Sequence, residues 1–137
     1  MSMQDAIADM FTRMRNAQHR LKPFTTCLST KYKLSILDVL KREGYISGYE
    51  VEKVGAISHV KIFLKYHSGK PVIEKIEKIS KPSLPLYHGY DQMNLVCNGM
   101  GIRIVSTSEG VYSDRELRMR FAKENRKLGG TVIGEVI

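Results

Sequence analysis

The feature of this sequence that most restricts its fold is the segment Lys81-Pro82-Ser83-Leu84-Pro85, which contains two prolines three residues apart. Each proline fixes its φ angle and lacks a backbone N–H, so this segment is stiff and extended and no regular helix passes through it. We therefore expect two small units, an N-terminal domain of residues 1–80 and a C-terminal domain of residues 81–137. The length of 137 residues suits one compact unit or two small ones, and the 42% hydrophobic content is enough for a core.

Hydrophobic spacing in the N-terminal domain predicts the element order α-β-α-β-β. Apolar residues recur at helical spacing from Ser2 to about Gln18 and from Thr30 to Glu43. Composition favours strands at Phe24–Leu28, Tyr45–Val51 and Ser58–Tyr66.

The C-terminal domain centres on a strand that runs into three consecutive hydroxyl side chains. Residues Ile102 to Val105 favour a strand, and Ser106-Thr107-Ser108 follows it, with a turn at Glu109-Gly110. The pattern from Ser113 to Glu116 is a capping box, which predicts a basic helix that runs to about Leu128.

Three further elements complete the expected C-terminal domain: a short extended segment at Leu86–Tyr90, a brief helix at Asp91–Cys97 and a closing strand at Thr131–Ile137. The predicted fold class is thus α+β, with two small α/β-type domains. The first has the order α-β-α-β-β, and the second has a mixed sheet with a basic helix.

The charge balance points to a polyanionic partner. The net charge is +8 and the pI is about 9.6, which favours nucleic acid first and an acidic membrane surface second. No run approaches the roughly 20 apolar residues of a membrane span, and the N-terminus lacks a signal-peptide pattern. Asp5 and Asp9 argue against a cleavable mitochondrial presequence. The isolated Cys27 and Cys97 indicate free thiols in a reducing compartment.

Basic residues near the two predicted N-terminal helices are candidate phosphate contacts. Lys31 and Lys33 lie in the first turn of the second helix, where positive charge is unfavourable unless an anion is also bound. The alternative for Lys33 is that its stem snorkels over the edge of the core. Arg13 and Arg15 lie near the end of the first helix, and Arg13, Asn16 and Arg20 share a face. The alternative there is a solvated basic face that complements the helix dipole.

An aromatic residue among lysines gives a weaker indication of nucleic-acid binding. Lys61, Phe63 and Lys65 share one face of the third predicted strand. Such a face can bind nucleic acid by charge and stacking. The default interpretation is that Phe63 packs beneath another element.

The sequence shows no catalytic constellation, so we expect no enzyme, no cofactor and no metal. The serines at 106 and 108 are not in a Gly-x-Ser-x-Gly elbow, the four histidines share no metal-ligand spacing with the cysteines, and no Walker loop is present. A hydrolase built on the Ser106–Ser108 turn is a competing hypothesis, and it lacks a base and an orienting acid at recognisable spacing.

Ser-Thr-Ser-Glu-Gly at residues 106–110 resembles the Ser-Thr-Ser-x-Gly signature of the small-subunit ribosomal protein S8 family. The opening ten residues resemble the start of bacterial members, and Ser80-Lys81-Pro82 and Gly129-Gly130 fall where the family has similar residues. The resemblance covers nearly the whole chain. It also implies a strand at 72–80, where spacing alone fits a helix as well.

The resemblance implies a primary rRNA-binding protein whose C-terminal domain binds an irregular stem in the central domain of small-subunit rRNA. Expected partners are that rRNA, neighbouring small-subunit ribosomal proteins and, because some family members repress their own mRNA, mRNA. No membrane or small-molecule substrate is expected. The competing hypothesis is a non-ribosomal RNA-binding regulator, such as a translational repressor. The candidate RNA-binding residues are Ser106, Thr107, Ser108 and Gly110 from the signature, and Lys31, Lys33, Arg13, Arg15, Lys81 and Arg115 from charge.

Two departures from the family pattern set this chain apart. Thr131 stands where family members usually have Glu after the paired glycines, and the segment 114–129 is several residues longer, with an added basic part at 118–127. We hypothesise that this added part makes a further rRNA or protein contact. The expected location is a ribosome in a bacterial cytoplasm or an organelle interior, with the mitochondrial matrix the favoured organelle.

Overall fold

The computed structural model describes residues 3–79, 87–89, 100–124 and 129–137. The chain separates into two compact units, Met1–Glu74 and Lys75–Ile137. The expected domain boundary follows residue 80, whereas the contacts divide the chain after residue 74. The reason is that the short strand Ile76–Lys78 pairs with the last strand of the chain. The Lys81–Pro85 segment lies outside the described residues.

The first unit contains two helices and a three-stranded antiparallel sheet. Its elements are α1 (Met3–His19), β1 (Phe24–Leu28), α2 (Lys31–Arg42), β2 (Ile46–Val54) and β3 (Ile57–Leu64), followed by the small hairpin of β4 (Tyr66–His67) and β5 (Lys70–Pro71). The predicted order α-β-α-β-β is confirmed. The sheet order is β1-β3-β2, so β1 is an edge strand.

Both helices of the first unit contribute to a core that lies on one face of this sheet. Val60, Ile62 and Leu64 of β3 are buried, whereas the alternate residues Lys61 and Phe63 are only half-buried. This alternation is expected where one face of a sheet is packed and the other faces solvent. The helix side chains in the core are Ile7, Met10, Phe11 and Met14 of α1 and Ile36, Leu37, Val39 and Leu40 of α2.

The end of α1 has an unusual residue in a common motif. The Lys22 N–H donates to the Ala17 carbonyl at 2.9 Å, and the Leu21 N–H donates to the Gln18 carbonyl at 3.0 Å. These two bonds define a Schellman motif, whose left-handed position is usually occupied by glycine. Here Leu21 occupies it with φ of 53°. The turn directs the chain through Pro23 into β1.

The second unit is an antiparallel sheet with one helix. Its elements are β6 (Ile76–Lys78), β7 (Tyr87–Gly89), β8 (Ile102–Thr107), β9 (Gly110–Ser113), α3 (Asp114–Glu124) and β10 (Gly129–Val136). The strand order is β6-β10-β8-β9, and β7 also pairs with β10. Every described pairing is antiparallel, where a mixed sheet was predicted. The difference arises because β10 returns from α3 to run between β8 and the two short strands.

The core of the second unit forms between α3 and the sheet. Ile76, Ile102, Ile104, Leu117 and Val136 are fully buried. The strand implied at 72–80 is present only as Ile76–Lys78. The predicted helix at 91–97 and the end of the basic helix at 125–128 lie outside the described residues. The predicted α+β class is confirmed.

Candidate nucleic-acid interface

The residues of the Ser-Thr-Ser-Glu-Gly motif form the tight connection between β8 and β9. Thr107 pairs with Gly110 across the hairpin, so Ser108 and Glu109 are its two loop residues. The Thr107 hydroxyl donates to the Gly110 carbonyl at 2.8 Å and accepts the Glu109 N–H at 3.2 Å. Gly110 has φ of 136°, which favours glycine. Thr107 and Gly110 therefore set the shape of the turn.

The two serines of the motif differ from Thr107 because their hydroxyls are not used to hold the turn. Ser108 is exposed and Ser106 is half-buried. Within the part of the chain that the structure describes, neither serine hydroxyl makes a hydrogen bond. Each hydroxyl can therefore donate one hydrogen bond and accept others from a ligand.

Thr131, which in the sequence is only a departure from the family pattern, is a neighbour of this turn. It lies directly opposite Ser106 in the β8–β10 register. Side chains at directly opposed positions share a face and have Cβ atoms about 5 Å apart. The chain therefore places an uncharged hydroxyl beside Ser106.

Gly130 allows β10 to lie unusually close to residues Ser106–Gly110, which we call the hydroxyl turn. A Cβ atom at Gly130 would lie 2.6 Å from Val105 Cγ1, 2.8 Å from the Ser106 carbonyl oxygen and 3.0 Å from Thr107 Cγ2. Carbon atoms do not approach other atoms so closely, so only glycine fits here. In the sequence the paired glycines serve only as a family mark, and their packing role was not predicted, although adjacent glycines at the start of a strand are a signal for it.

The start of α3 is fixed by the predicted capping box. The Ser113 N–H donates to Glu116 Oε1 at 3.0 Å, and the Glu116 N–H donates to Ser113 Oγ at 3.0 Å. This reciprocal pair satisfies two N–H groups that have no partner within the helix. The capping-box prediction is confirmed, and it places Arg115 in the exposed first turn of α3.

A buried carboxylate connects α3 to the sheet. Asp114 is 1% exposed. It accepts the backbone N–H groups of Arg103 and Arg115, each at 3.0 Å, and Arg118 Nη1 at 2.9 Å. Arg103 also pairs with Glu135 at 3.0 Å. Arg118 is half-buried, and its guanidinium pairs with the Asp114 carboxylate one turn earlier in α3.

Lys31 and Lys33 lie at the start of α2 but point in different directions. Lys31 is exposed, whereas Lys33 is 4% exposed and its Nζ donates to the Leu28 carbonyl at 2.9 Å. The structure thus agrees with the alternative stated for Lys33, in which its charged group lies at the edge of the core. Thr30 caps the start of the helix, since its side chain accepts the Lys33 N–H at 3.2 Å.

Arg13 and Arg15 both lie on exposed parts of α1. Arg13 forms an ion pair with Asp9 at 2.8 Å and donates through Nη1 to the Thr26 carbonyl at 3.2 Å, so it ties α1 to the edge strand β1. Burial raises the pKa of the neighbouring Cys27 thiol, and the positive charges of Lys33 and Arg13 oppose that rise.

The structure therefore brings four of the candidate residues together in the β8–β9 hairpin. These are Ser106, Thr107, Ser108 and Gly110, all in the second unit. Arg13, Arg15, Lys31 and Lys33 all belong to the first unit. Lys81 lies outside the described residues.

Two findings concern other classes of function. Among the described residues, no group of three or more histidine, cysteine, aspartate or glutamate side chains is arranged to hold a metal ion. None of the helices in the described ranges is long and apolar enough to cross a membrane.

Comparison with known proteins gives one consistent family. The family model described as Ribosomal protein S8 matches residues 5–137. The protein from Paraburkholderia xenovorans named small ribosomal subunit protein uS8 is 52% identical over 118 residues, which cover 86% of this chain and 90% of that protein. Proteins of the same name from Paracidovorax citrulli and Bordetella pertussis are 50% and 51% identical over the same shares of both chains. The chain therefore belongs to the ribosomal protein S8 family.

Proposed function

We propose that this protein is a structural constituent of the small ribosomal subunit that binds an irregular stem in the central domain of small-subunit rRNA. Its relatives are named as small-subunit ribosomal proteins, and the family is structural and not enzymatic. The observation that carries the RNA-binding part is the geometry of the hydroxyl turn. Thr107 and Gly110 hold its shape, while the Ser106 and Ser108 hydroxyls make no hydrogen bond within the described part of the chain.

A rigid turn with available hydroxyls suits an irregular RNA stem. Such stems expose base edges and 2′-hydroxyls that a regular A-form helix does not present to side chains. A serine hydroxyl can donate to a base or phosphate oxygen and accept from a base amino group or a 2′-hydroxyl. Since Gly130 and the β8–β9 hairpin support the turn, little conformational entropy is lost when RNA binds.

Thr131 adds to this arrangement in a way that is particular to this chain. A carboxylate opposite Ser106 would repel RNA phosphates, whereas the threonine hydroxyl has no charge. We therefore include Thr131 with Ser106 and Ser108 in the proposed contact surface.

The charged candidates have a different role in this proposal. Lys31, Arg13, Arg15 and Arg115 are exposed and are proposed to lie near phosphates, where they raise affinity without selecting the sequence. Lys81 remains a proposed phosphate contact from charge alone. Lys33 is assigned no RNA contact, because its ammonium group is bound to the Leu28 carbonyl.

Three further expectations from the sequence stay predictions. They are residues 81–137 as the rRNA-binding domain, mRNA as a second RNA partner, and the compartment of the ribosome, either bacterial cytoplasm or an organelle interior. A non-ribosomal regulator is not favoured, since the similar proteins are named as ribosomal proteins.

The test is binding of the full-length protein to the central-domain rRNA stem and to a regular duplex of equal length, over a salt series. The variant Ser106→Ala/Ser108→Ala should lose about 1–3 kcal/mol of stem preference, roughly 5- to 150-fold in affinity, with an unchanged salt slope. The matched control is Thr12→Ala/Ser35→Ala, which removes two hydroxyls that bind carbonyls of their own helices and should leave RNA binding unchanged.

Two results would contradict the proposal. The first is equal affinity for the stem and the duplex, insensitive to both serine substitutions, which would mean that charge alone drives binding. The second is failure of the tagged protein to sediment with the small subunit in a high-salt sucrose gradient, which would remove the ribosomal role.

A further inference from the structure

A basic cavity in the first unit lies apart from the hydroxyl turn. It has a volume of about 520 Å³ and opens between the second half of α1 and the edge strand β1. Its lining includes three cations, Arg13, Arg20 and Lys22, and no carboxylate. The volume falls in the range of pockets that hold a small ligand, about 300–1,000 Å³.

Arg20 and Lys22 supply the available positive charge of this cavity. Both are exposed, and among the described residues no carboxylate or carbonyl pairs with either side chain. Arg13 is partly neutralised by Asp9 at 2.8 Å. The left-handed conformation of Leu21 in the Schellman motif turns the chain so that the residues on both sides of it line the same cavity.

An aromatic ring stands at the rim of the cavity. Phe24 lines it and is 38% exposed, which is high for such a large apolar side chain. The ring is held in place by two neighbours on β3. The Lys61 ammonium lies 4.3 Å from its centroid, and the Phe63 ring packs edge-on at a centroid distance of 6.3 Å.

These two contacts support the Phe24 ring at the rim of the cavity. Lys61 and Phe63 are the residues for which the sequence predicted either stacking on nucleic acid or packing beneath another element. In the structure they pack against Phe24 on the open face of the sheet, and Phe24 is the ring that reaches the cavity.

We propose that this cavity is a second RNA-binding site, which takes one or two nucleotides of single-stranded RNA. A base stacks on the Phe24 ring, its phosphates lie against Arg20 and Lys22, and the Asn16 amide can bind a base edge or a sugar hydroxyl. The exposed ring beside the cations favours RNA over an acidic peptide as the ligand. An aromatic ring can stack on any base, whereas the carboxylates of an acidic peptide would need only the cations. The site does not depend on the hydroxyl turn.

The test uses the full-length protein that carries Ser106→Ala/Ser108→Ala, so that failure of the proposed stem contact does not affect the result. The probe is a ten-nucleotide single-stranded RNA with one 2-aminopurine, whose fluorescence falls when the base stacks. Phe24→Leu should weaken binding about 5- to 150-fold and abolish the quenching, whereas Phe24→Trp should retain both.

The charge of the cavity has its own readout. Arg20→Gln/Lys22→Gln should lower the slope of log affinity against log salt by about 1.4, because each phosphate contact on a single strand contributes about 0.7. The control Lys41→Gln/Lys53→Gln removes two exposed lysines outside the cavity and should change the slope less. Circular dichroism melts verify that each variant is folded.

Three outcomes would overturn the site. Phe24→Leu could bind the RNA as wild type does, which would exclude stacking. Arg20→Gln/Lys22→Gln and the control Lys41→Gln/Lys53→Gln could have equal salt slopes, which would mean that the cavity binds RNA no better than the rest of a diffuse basic surface. A polyglutamate peptide could compete as well as RNA and with no dependence on Phe24, which would identify an acidic protein as the partner.

Discussion

Replacing Gly130 by alanine should destabilise the second unit by forcing β10 away from the hydroxyl turn. The new Cβ would lie 2.6 Å from Val105 Cγ1 and 2.8 Å from the Ser106 carbonyl oxygen. Val105 is fully buried, so its side chain has little space to move. The Ser106 carbonyl belongs to a strand paired on both sides, with β9 and with β10, and it cannot rotate alone.

The expected magnitude follows from two opposing terms. Overpacking of a core contact costs about 1–3 kcal/mol. Replacing glycine by alanine also restricts the unfolded chain. This raises the free energy of unfolding by about 0.4–1 kcal/mol where the native backbone conformation suits alanine. The net loss for Gly130→Ala should therefore be about 1–2 kcal/mol of the free energy of unfolding. Affinity for the rRNA stem should fall as well, because β8 carries Ser106 and Thr107 and must shift with the contact.

The matched control is Gly48→Ala in β2, where an added Cβ would meet nothing within 4 Å. That variant should be neutral or more stable by up to about 1 kcal/mol. The assay is urea unfolding followed by circular dichroism, with stem binding measured on the same preparations. If Gly130→Ala unfolds at the same urea concentration as Gly48→Ala, the close approach of β10 to Ser106 is wrong and the glycine is not required for packing.

Three further predictions test other parts of the structure. Leu21→Gly should raise the free energy of unfolding by about 1 kcal/mol, measured by urea unfolding, because a left-handed leucine is strained and this side chain is 61% exposed. Ser113→Ala should lower it by about 1 kcal/mol through loss of the bond to the Glu116 N–H, with a reduced melting temperature as the readout. In a Cys97→Ser background, Cys27 should react with iodoacetamide at pH 8 far more slowly in the folded than in the unfolded protein. Burial raises its pKa, so the fold favours the protonated thiol, and this contribution to stability is lost as pH rises through the folded-state value.

Local patterns in the sequence predicted most of the first unit. The strand Phe24–Leu28 lies where its composition placed it, and α2 begins after the Thr30 cap. These predictions succeeded because hydrophobic period and capping are decided by residues close in sequence. The capping box at Ser113 succeeded for the same reason.

The directions of individual charged side chains could not be predicted in this way. Lys33 is drawn inward by the carbonyl of Leu28, which the fold presents at the end of β1. Arg118 is drawn inward by Asp114, whose burial depends on a backbone N–H of β8. The Leu28 carbonyl and the Arg103 N–H both belong to strands outside the helices, so helical position alone does not predict these contacts.

In the candidate site too, features set within one segment could be predicted, whereas features set by contacts between segments could not. The sequence predicted a strand that ends at Val105 and a turn at Glu109-Gly110, whereas β8 runs to Thr107 and the loop residues are Ser108 and Glu109. The structure adds that Thr107 holds the turn while Ser106 and Ser108 do not. The roles of Gly130 and Thr131 depend on the β8–β10 register. Phe24 lines a cavity only because the end of α1 packs beside β1. Register and helix packing are non-local, so a pattern within one segment does not reveal them.

The positions of the charged residues have a consequence for how RNA binding should depend on salt. The net charge of +8 suggests many phosphate contacts, but several cations are used by the fold itself. Lys33 binds a carbonyl, and Arg118 and Arg103 each pair with a carboxylate. Only cations that reach phosphates release counterions, so the salt slope counts contacts and not net charge. The slope for the rRNA stem should therefore be that of a few phosphates, and stem preference should rest on the uncharged hydroxyl turn.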